Sequence, residues 1–441
     1  MKLRIHNLCM LMMILAAATP SAAKNGGKKA CSAHDFIQSI GVCVHVQHGQ
    51  DPALLAPMLQ YTGIPNVRDA IDKHYDSHGL LRLHQLSGCR ILLCAGSGAS
   101  DEDLPATLAM ARQLHREGAL LAIEGPNEPN NFGGVRYQGE HGGAGRSWLP
   151  VARFQRDLYQ QVKADEELKP YLVIGISETG AQTDNVGLQF LTIPDTAQCL
   201  MPAGTVYADR ANVHNYMYHP SWNGLADNRV WMAASPRSDC RVDGIWGNHG
   251  RTWLKHHPGY SEEQLEGLPR WTTETGVRVG DADGLVTERI QACHYLNVFL
   301  AQFSRGWERT FIYELTDDGD GTFGFYHADY RTPRLSAHWM HRFTGILRDE
   351  KPHSSRKRLA YTHTGSSCIH DLLLQKADGS LWLILWGERA EGEELVTLTL
   401  DGKRKIEVYD PTVDTKPQRT LQGKSLDLKM ADTPVILKLE K

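Results

Sequence analysis

What this chain lacks narrows its possibilities first. Its 47 Lys and Arg fall short of its 51 Asp and Glu, giving a formal charge of −4 and an isoelectric point near 6.6. That balance supplies no broad basic face, so a nucleic-acid partner is not expected. No Cys-x-x-Cys pair and no Cys/His cluster has metal-ligand spacing. There is no internal repeat, heptad or low-complexity tract. The Gly96-Ser97-Gly98 stretch lacks the lysine of a P-loop and reads as a turn, not a phosphate cradle. The apolar run Leu8 to Ala18 is too short to span a membrane. It follows Lys2 and Arg4 and precedes the small residues Ser21-Ala22-Ala23, the pattern of an export signal cut near Ala23. Residues 1–23 are therefore excluded from the fold, and the mature chain is expected in the periplasm or outside the cell, without stable membrane insertion and as a monomer. The Gly/Lys-rich leader from Lys24 to Lys29 reads as mobile.

Setting Cys9 aside with that leader leaves Cys31, Cys43, Cys89, Cys94, Cys199, Cys240, Cys293 and Cys368. An even set in an exported chain permits disulfides, although sequence does not pair them. Cys199 with Cys240 is preferred because it would clamp a long loop, and buried free thiols are the alternative.

What is present is a series of short apolar strands separated by helical spacing. Strands are predicted over Ile40–Val46, Gly63–Asp69, Arg90–Ala95, Ala119–Glu124, Tyr171–Ile176, Ala211–Tyr216, Leu268–Gly276 and Phe311–Leu315. Two of them end in chemistry. The buried-type run Ala119–Glu124 leads into Gly125-Pro126-Asn127-Glu128-Pro129-Asn130-Asn131. Pro129 excludes the helical region for Glu128, so the carboxylate sits on a defined turn, and the Asn127 amide can donate to a sugar or a neighbouring carboxylate. The strand around Trp271-Thr272-Thr273 ends at Glu274-Thr275-Gly276. Two glutamates at the ends of separate strands suit glycosidic cleavage, where one carboxyl acts as acid and one as nucleophile or base. Glu178, in Ser177-Glu178-Thr179-Gly180, is a decoy for Glu274 and the first substitute if the strand count fails. Glu124 is the other decoy, or else a partner behind the site.

Asn-Glu-Pro and Thr-Glu-Thr-Gly, about three βα units apart, resemble the motifs of clan A of the glycoside hydrolases. The Asn-Glu-Pro-Asn-Asn form is most similar to the β-xylosidase/α-L-iduronidase family and its exopolysaccharide-cutting relatives. The resemblance implies a (β/α)8 TIM barrel, with Glu128 as acid/base, Asn127 as its substrate-positioning neighbour and Glu274 as nucleophile. Arg68, at the end of the second strand, would steady the nucleophile, the bland alternative being a surface pair with Asp69. His214 and Tyr216 would lie near Glu274 and bond it or the substrate, with Tyr218 next. His45, at the first strand's end, and Tyr313, in the eighth, complete the substrate-binding set with Trp222. Trp222 lies in a long segment, His219 to Leu268, that also carries Trp231, Trp246 and Trp253 and reads as a subsite wall or a compact insertion.

The acidic turn Thr316 to Gly321 is too short for a calcium loop, and no metal or cofactor is required. Glu314, Asp317 and Asp318 help shape the cleft. From about Glu350, short strands separated by Asp378-Gly379 and Asp401-Gly402 predict a C-terminal β-sandwich over residues 350–441, after a catalytic barrel over 35–345. The expected activity is a retaining glycoside hydrolase, endo-acting on an envelope or matrix poly- or oligosaccharide. The alternatives are an exo-acting xylosidase-like enzyme, a transglycosylase, and a non-hydrolytic polysaccharide-binding protein.

Overall fold

The computed structural model describes residues 26–71, 76–179, 186–193, 201–216, 230–237, 240, 260–282, 285–319, 321–389 and 392–441. Tyr218, Trp222, Cys199 and the apolar leader lie outside them.

Eight parallel strands form the barrel: β1 (Ile40–Cys43), β2 (Asn66–Ala70), β3 (Arg90–Cys94), β4 (Leu120–Glu124), β5 (Val173–Ile174), β6 (Ala211–Asn212), β7 (Arg270–Thr275) and β8 (Trp307–Ile312). Hydrogen-bonded neighbours run β6-β7-β8-β1-β2-β3-β4-β5. Parallel bridges Ile174–Arg210 and Thr179–His214 join β5 to β6 and close the cylinder. All five residues of β4 are buried, as expected of strands covered by helices outside and packed side chains inside. Each predicted strand is found. β8 starts four residues early, at Trp307, because its polar first turn hides the apolar signal.

Helices α1 (Pro52–Thr62), α2 (His78–Ser87), α3 (Asp103–Arg116) and α4 (Leu149–Ala164) connect the first five strands. The ends of α1 follow local rules. Asp51 caps its N-terminus by accepting from Ala53 N–H, Pro52 occupies the first turn, and Gly63 ends it at φ 70°. Further on come α5 (Glu288–Ser304) and α6 (Leu335–Leu347). α5 is buried nearly all round because it lies between the barrel and the C-terminal domain. Its Asn297 amide donates to the carbonyls of Gly387 and Asp432, and Arg289 forks onto the Asp432 carboxylate at 2.8 and 2.7 Å. No described helix is long and apolar enough to cross a membrane.

The C-terminal β-sandwich consists of β9 (Tyr361–His363), β10 (Ile369–Gln375), β11 (Leu381–Gly387), β12 (Glu394–Tyr409), β13 (Arg419–Met430) and β14 (Val435–Glu440). Asp401-Gly402 is not the expected turn between two strands. β12 runs through it with a register shift between Thr399 and Arg404, because β13 pairs with it on both sides. The first half of β12 pairs with β9 and the second with β14. The sheet thus folds over one core that includes Leu373, Leu383, Leu398, Ile406, Leu428 and Leu437.

The leader is also corrected from Gly26 onward. Lys28–Lys29 pairs antiparallel with Arg358–Leu359, and Cys31–Ser32 adds to β10 beside Leu374–Gln375. No disulfide joins described cysteines; Cys43, Cys89, Cys94 and Cys293 are buried thiols. Trp231 forms no subsite wall. Its ring stacks on His370 at 4.1 Å and its backbone N–H donates to Glu388 Oε1 at 2.6 Å, so the residue is turned toward the sandwich.

Candidate active site

Strand ends and the loops beyond them enclose a cavity of about 680 Å³, lined by His45, Arg68, Asn127, Glu128, Tyr216, Glu274 and Tyr313 among others. Of the described residues expected to act on or bind the substrate, all reach this cavity except His214, which lies fully buried behind it.

Arg68 is the hub. Its fork meets Glu124 at 2.8 and 2.9 Å, while the same guanidinium donates to Asn127 Oδ1 at 2.7 Å and to Glu274 Oε2 at 3.2 Å. Glu124 is fully buried, so its charge is tolerable only against such a cation. This overturns the surface pair with Asp69. Arg68 lines the cavity and directs most of its donors to these protein acceptors, which it positions. Asn127 is fixed at both ends, since its Nδ2 donates to Ser97 Oγ at 2.9 Å.

Glu274 accepts a short hydrogen bond from Tyr216 O–H in addition to Arg68. Burial first, then the charge of Glu274, pushes the Tyr216 phenol well up, so it remains a donor. Glu128 sits at φ 40°, in the left-handed region; Pro129 disfavours the right-handed helical region but on its own favours extended backbone, so the surrounding turn holds this conformation. Its N–H donates to Ser177 Oγ at 3.3 Å and its carboxylate accepts from the Asn131 amide at 2.9 Å. Oxygens of Glu128 and Glu274 approach within 4.8 Å.

His214 joins the two carboxylates differently from expectation. Its Nδ1 lies 2.5 Å from Glu128 Oε1 and 3.6 Å from Glu274 Oε2, so its hydrogen bond is to the acid/base candidate, and its burial removes it from substrate contact. Its Nε2 lies 3.0 Å from Thr273 Oγ1, which itself lies 3.0 Å from Glu124 Oε1 and from Asn212 Oδ1. The single Thr273 proton goes to one of those two oxygens, so the hydroxyl accepts from His214 and Nε2 carries hydrogen. Nδ1 and Glu128 then share one proton: imidazolium with carboxylate, or neutral imidazole with carboxylic acid.

With that proton on His214, burial pushes Glu128 up, but the imidazolium and the Asn131 amide outweigh it and hold the carboxyl below its usual range. This reverses the raised value that an acid at Glu128 calls for. Glu274 is raised, by burial first and by the Glu128 charge. Moving the proton to Glu128 removes that charge together with the His214 imidazolium that opposes it, so Glu274 is left with Arg68 and Tyr216 favouring its ionised form against burial.

Beside the pair, His45 Nδ1 lies 2.6 Å from Asp318 Oδ2 and 3.4 Å from Glu314 Oε2. Burial lowers the imidazole's pKa, but the Asp318 hydrogen bond and the charges of Asp69 and Asp318 outweigh it and raise it overall. Burial pushes Asp69, whose carboxylate accepts from the Gln47 and Ala70 amides, up to about 7. Two groups, His45/Glu314/Asp318 and Glu128/His214/Glu274, bring three potential metal-binding atoms together. In the second, the Arg68 guanidinium already occupies the cationic role. Of the three acidic residues expected to shape the cleft, Asp318 alone lines it; Asp317 is locked to Arg334 at 2.7 and 2.6 Å. Glu178 is buried away from the cavity. Sequence reasoning missed Asn131, Phe132, Thr179 and Tyr330 as lining residues. Only Asn131 had a signal, its place just after Asn127-Glu128-Pro129.

Comparison with known proteins agrees with this geometry at the level of fold. No protein-family model matches the sequence, and no curated protein matches it. Among solved structures, the chain is similar to a family 39 glycoside hydrolase from the gut symbiont Bacteroides cellulosilyticus WH2, with TM-score 0.59 and 17% identity over 92% of this chain and 82% of that one. It is similar to a family 30, subfamily 8 xylanase from Clostridium acetobutylicum, with TM-score 0.53 and 12% identity over 94% and 97%. It is also similar to an endo-β-1,6-glucanase, with TM-score 0.52 and 13% identity over 96% and 95%. These three neighbours are named as glycan-cleaving enzymes, and the likeness shows that this chain shares their fold, an eight-stranded parallel barrel followed by a β-sandwich.

Proposed function

We propose that the chain is an exported retaining glycoside hydrolase that cleaves β-glycosidic bonds of a poly- or oligosaccharide, endo-acting on an envelope or matrix glycan. The observation that carries this reading is the approach of the Glu128 and Glu274 oxygens to within 4.8 Å, at the ends of β4 and β7 and facing one cavity. That bound is on the nearest oxygens and not on the carboxyl groups as a whole, and so close an approach supports the retaining arrangement, with carboxyls about 5–5.5 Å apart, over the inverting one, which leaves about 6.5–9.5 Å for a water. The names of the xylanase and the endo-β-1,6-glucanase of the same fold support glycan cleavage. The apolar leader with its small-residue end supports export.

In the first step Glu274 attacks the anomeric carbon as the bond to the leaving oxygen breaks, and Glu128 gives that oxygen its proton. In the second, Glu128 takes a proton from water as the water oxygen displaces Glu274. The proton shared with His214 lets Glu128 alternate between the two states.

The test is mass spectrometry after incubation with 2-fluoro-β-glycosides of the gluco, xylo and manno series. A mass gain on the peptide containing Glu274 is expected, and Glu128→Gln and Glu274→Gln should abolish turnover while binding persists. Labelling of Glu178, or an active Glu274→Gln protein, would overturn the assignment. Product analysis with an added acceptor sugar separates transglycosylation from hydrolysis.

A further inference from the structure

Seven large hydrophobic side chains are recorded as exposed in the described residues, and Phe132 alone among them lines the catalytic cavity. Scattered exposed hydrophobics are ordinary, but an apolar surface at the mouth of a polar cavity marks a ligand contact. Phe132 is 48% exposed, and no described aromatic ring packs on it. Its place is fixed by the turn that presents the acid: Glu128 C=O accepts from Asn131 N–H at 2.8 Å and from Phe132 N–H at 2.9 Å. Gly133 and Gly134 follow at φ 55° and 74°, so the chain turns back directly after the ring.

Chemistry gives this position its meaning. Glu128 must reach the oxygen that leaves, so the departing part of the substrate lies on the Glu128 side of the anomeric carbon. A pyranose presents C–H groups on its flat face, which pack on an aromatic ring with large apolar area at little entropic cost. We propose that Phe132 is the platform for the first sugar on the leaving-group side, and that the natural leaving group is therefore a sugar residue of a longer glycan and not a small alcohol. This deepens the hydrolase reading and rests on it. The same platform receives the acceptor when a sugar replaces water in the second step.

The test compares two leaving groups on Phe132→Ala and Phe132→Tyr. One set of substrates is the β-gluco, β-xylo and β-manno glycosyl fluorides, which have no ring to stack; the other is the matching β-linked tetrasaccharides. Phe132→Ala should lower kcat/KM on the tetrasaccharide about tenfold and leave the fluoride within about twofold of wild type, with Phe132→Tyr restoring the tetrasaccharide rate. Equal rates on the tetrasaccharide, or an equal loss on the fluoride, would overturn the platform while leaving the hydrolase reading intact. A wild-type protein inert to every substrate of both kinds would instead sink the hydrolase reading, and this inference with it.

Discussion

Arg68→Met, which keeps the side chain's bulk and removes its charge, tests the centre of the site. The guanidinium is 7% exposed and faces Glu124, which is 0% exposed. Without it, Glu124 keeps among the described residues at most Asn212 Nδ2 at 3.3 Å and the one Thr273 hydroxyl proton, which Asn212 Oδ1 competes for, so a buried carboxylate must either ionise without a cation or take up a proton. Breaking a buried pair in this way costs about 3–5 kcal/mol, much more than the pair gains over an apolar replacement. The double variant Arg68→Met/Glu124→Leu removes the orphaned charge and should recover most of that loss. Activity should not recover: Glu274 still lacks its 3.2 Å partner and Asn127 its 2.7 Å anchor. A loss of about 10²–10³ in kcat should persist in both proteins. Urea unfolding midpoints and single-turnover rates measure the two arms. If Arg68→Met lies within about 1 kcal/mol of wild type, or if the double variant is no more stable than the single, the buried-charge argument is wrong.

Tyr216→Phe deletes a hydrogen bond made to ionised Glu274, so the Glu274 pKa should rise and the acid limb of the kcat/KM profile should move to higher pH, while the melting temperature changes little. His294 is pushed down to about 4 by burial, from 6.5. The unfolded chain therefore takes up a proton that the folded chain refuses between those values, and stability should fall by about 3 kcal/mol as pH drops through that window. His294→Gln should flatten that slope in denaturant titrations across the same range; an unchanged slope would remove His294 as its source.

The barrel was legible because strands covered on both sides must be apolar along their whole length, as in Leu120-Leu121-Ala122-Ile123. The catalytic pair was legible because Glu128 follows such a strand and Glu274 lies near the end of a short β-branched and aromatic one, Arg270–Thr275. What escaped depends on partners distant in the chain. Glu124 carried no mark of its fork to Arg68, 56 residues away. His214 stood in the right place but with the wrong partner, because sequence does not show which carboxylate a buried imidazole meets. Trp231 read as a sugar contact, since an indole suited to stacking on a sugar is equally suited to stacking on His370. Phe132 sits in a loop without periodicity, and β12 concealed its continuity behind an Asp-Gly pair that ordinarily turns a chain.

The pairing of Cys31–Ser32 with Leu374–Gln375 has a consequence for how the molecule is made. Lys28 also reaches across 343 positions to Asp371, so residues near the start of the chain finish a sheet whose other strands are synthesised last. Such non-local closure is slow, because the loop entropy of the whole barrel is lost before the contact forms. Early residues must wait until nearly the whole chain has been made. A cut near residue 350 would separate neither half cleanly: the barrel fragment would carry a strand with no sheet, and the sheet would lack an edge.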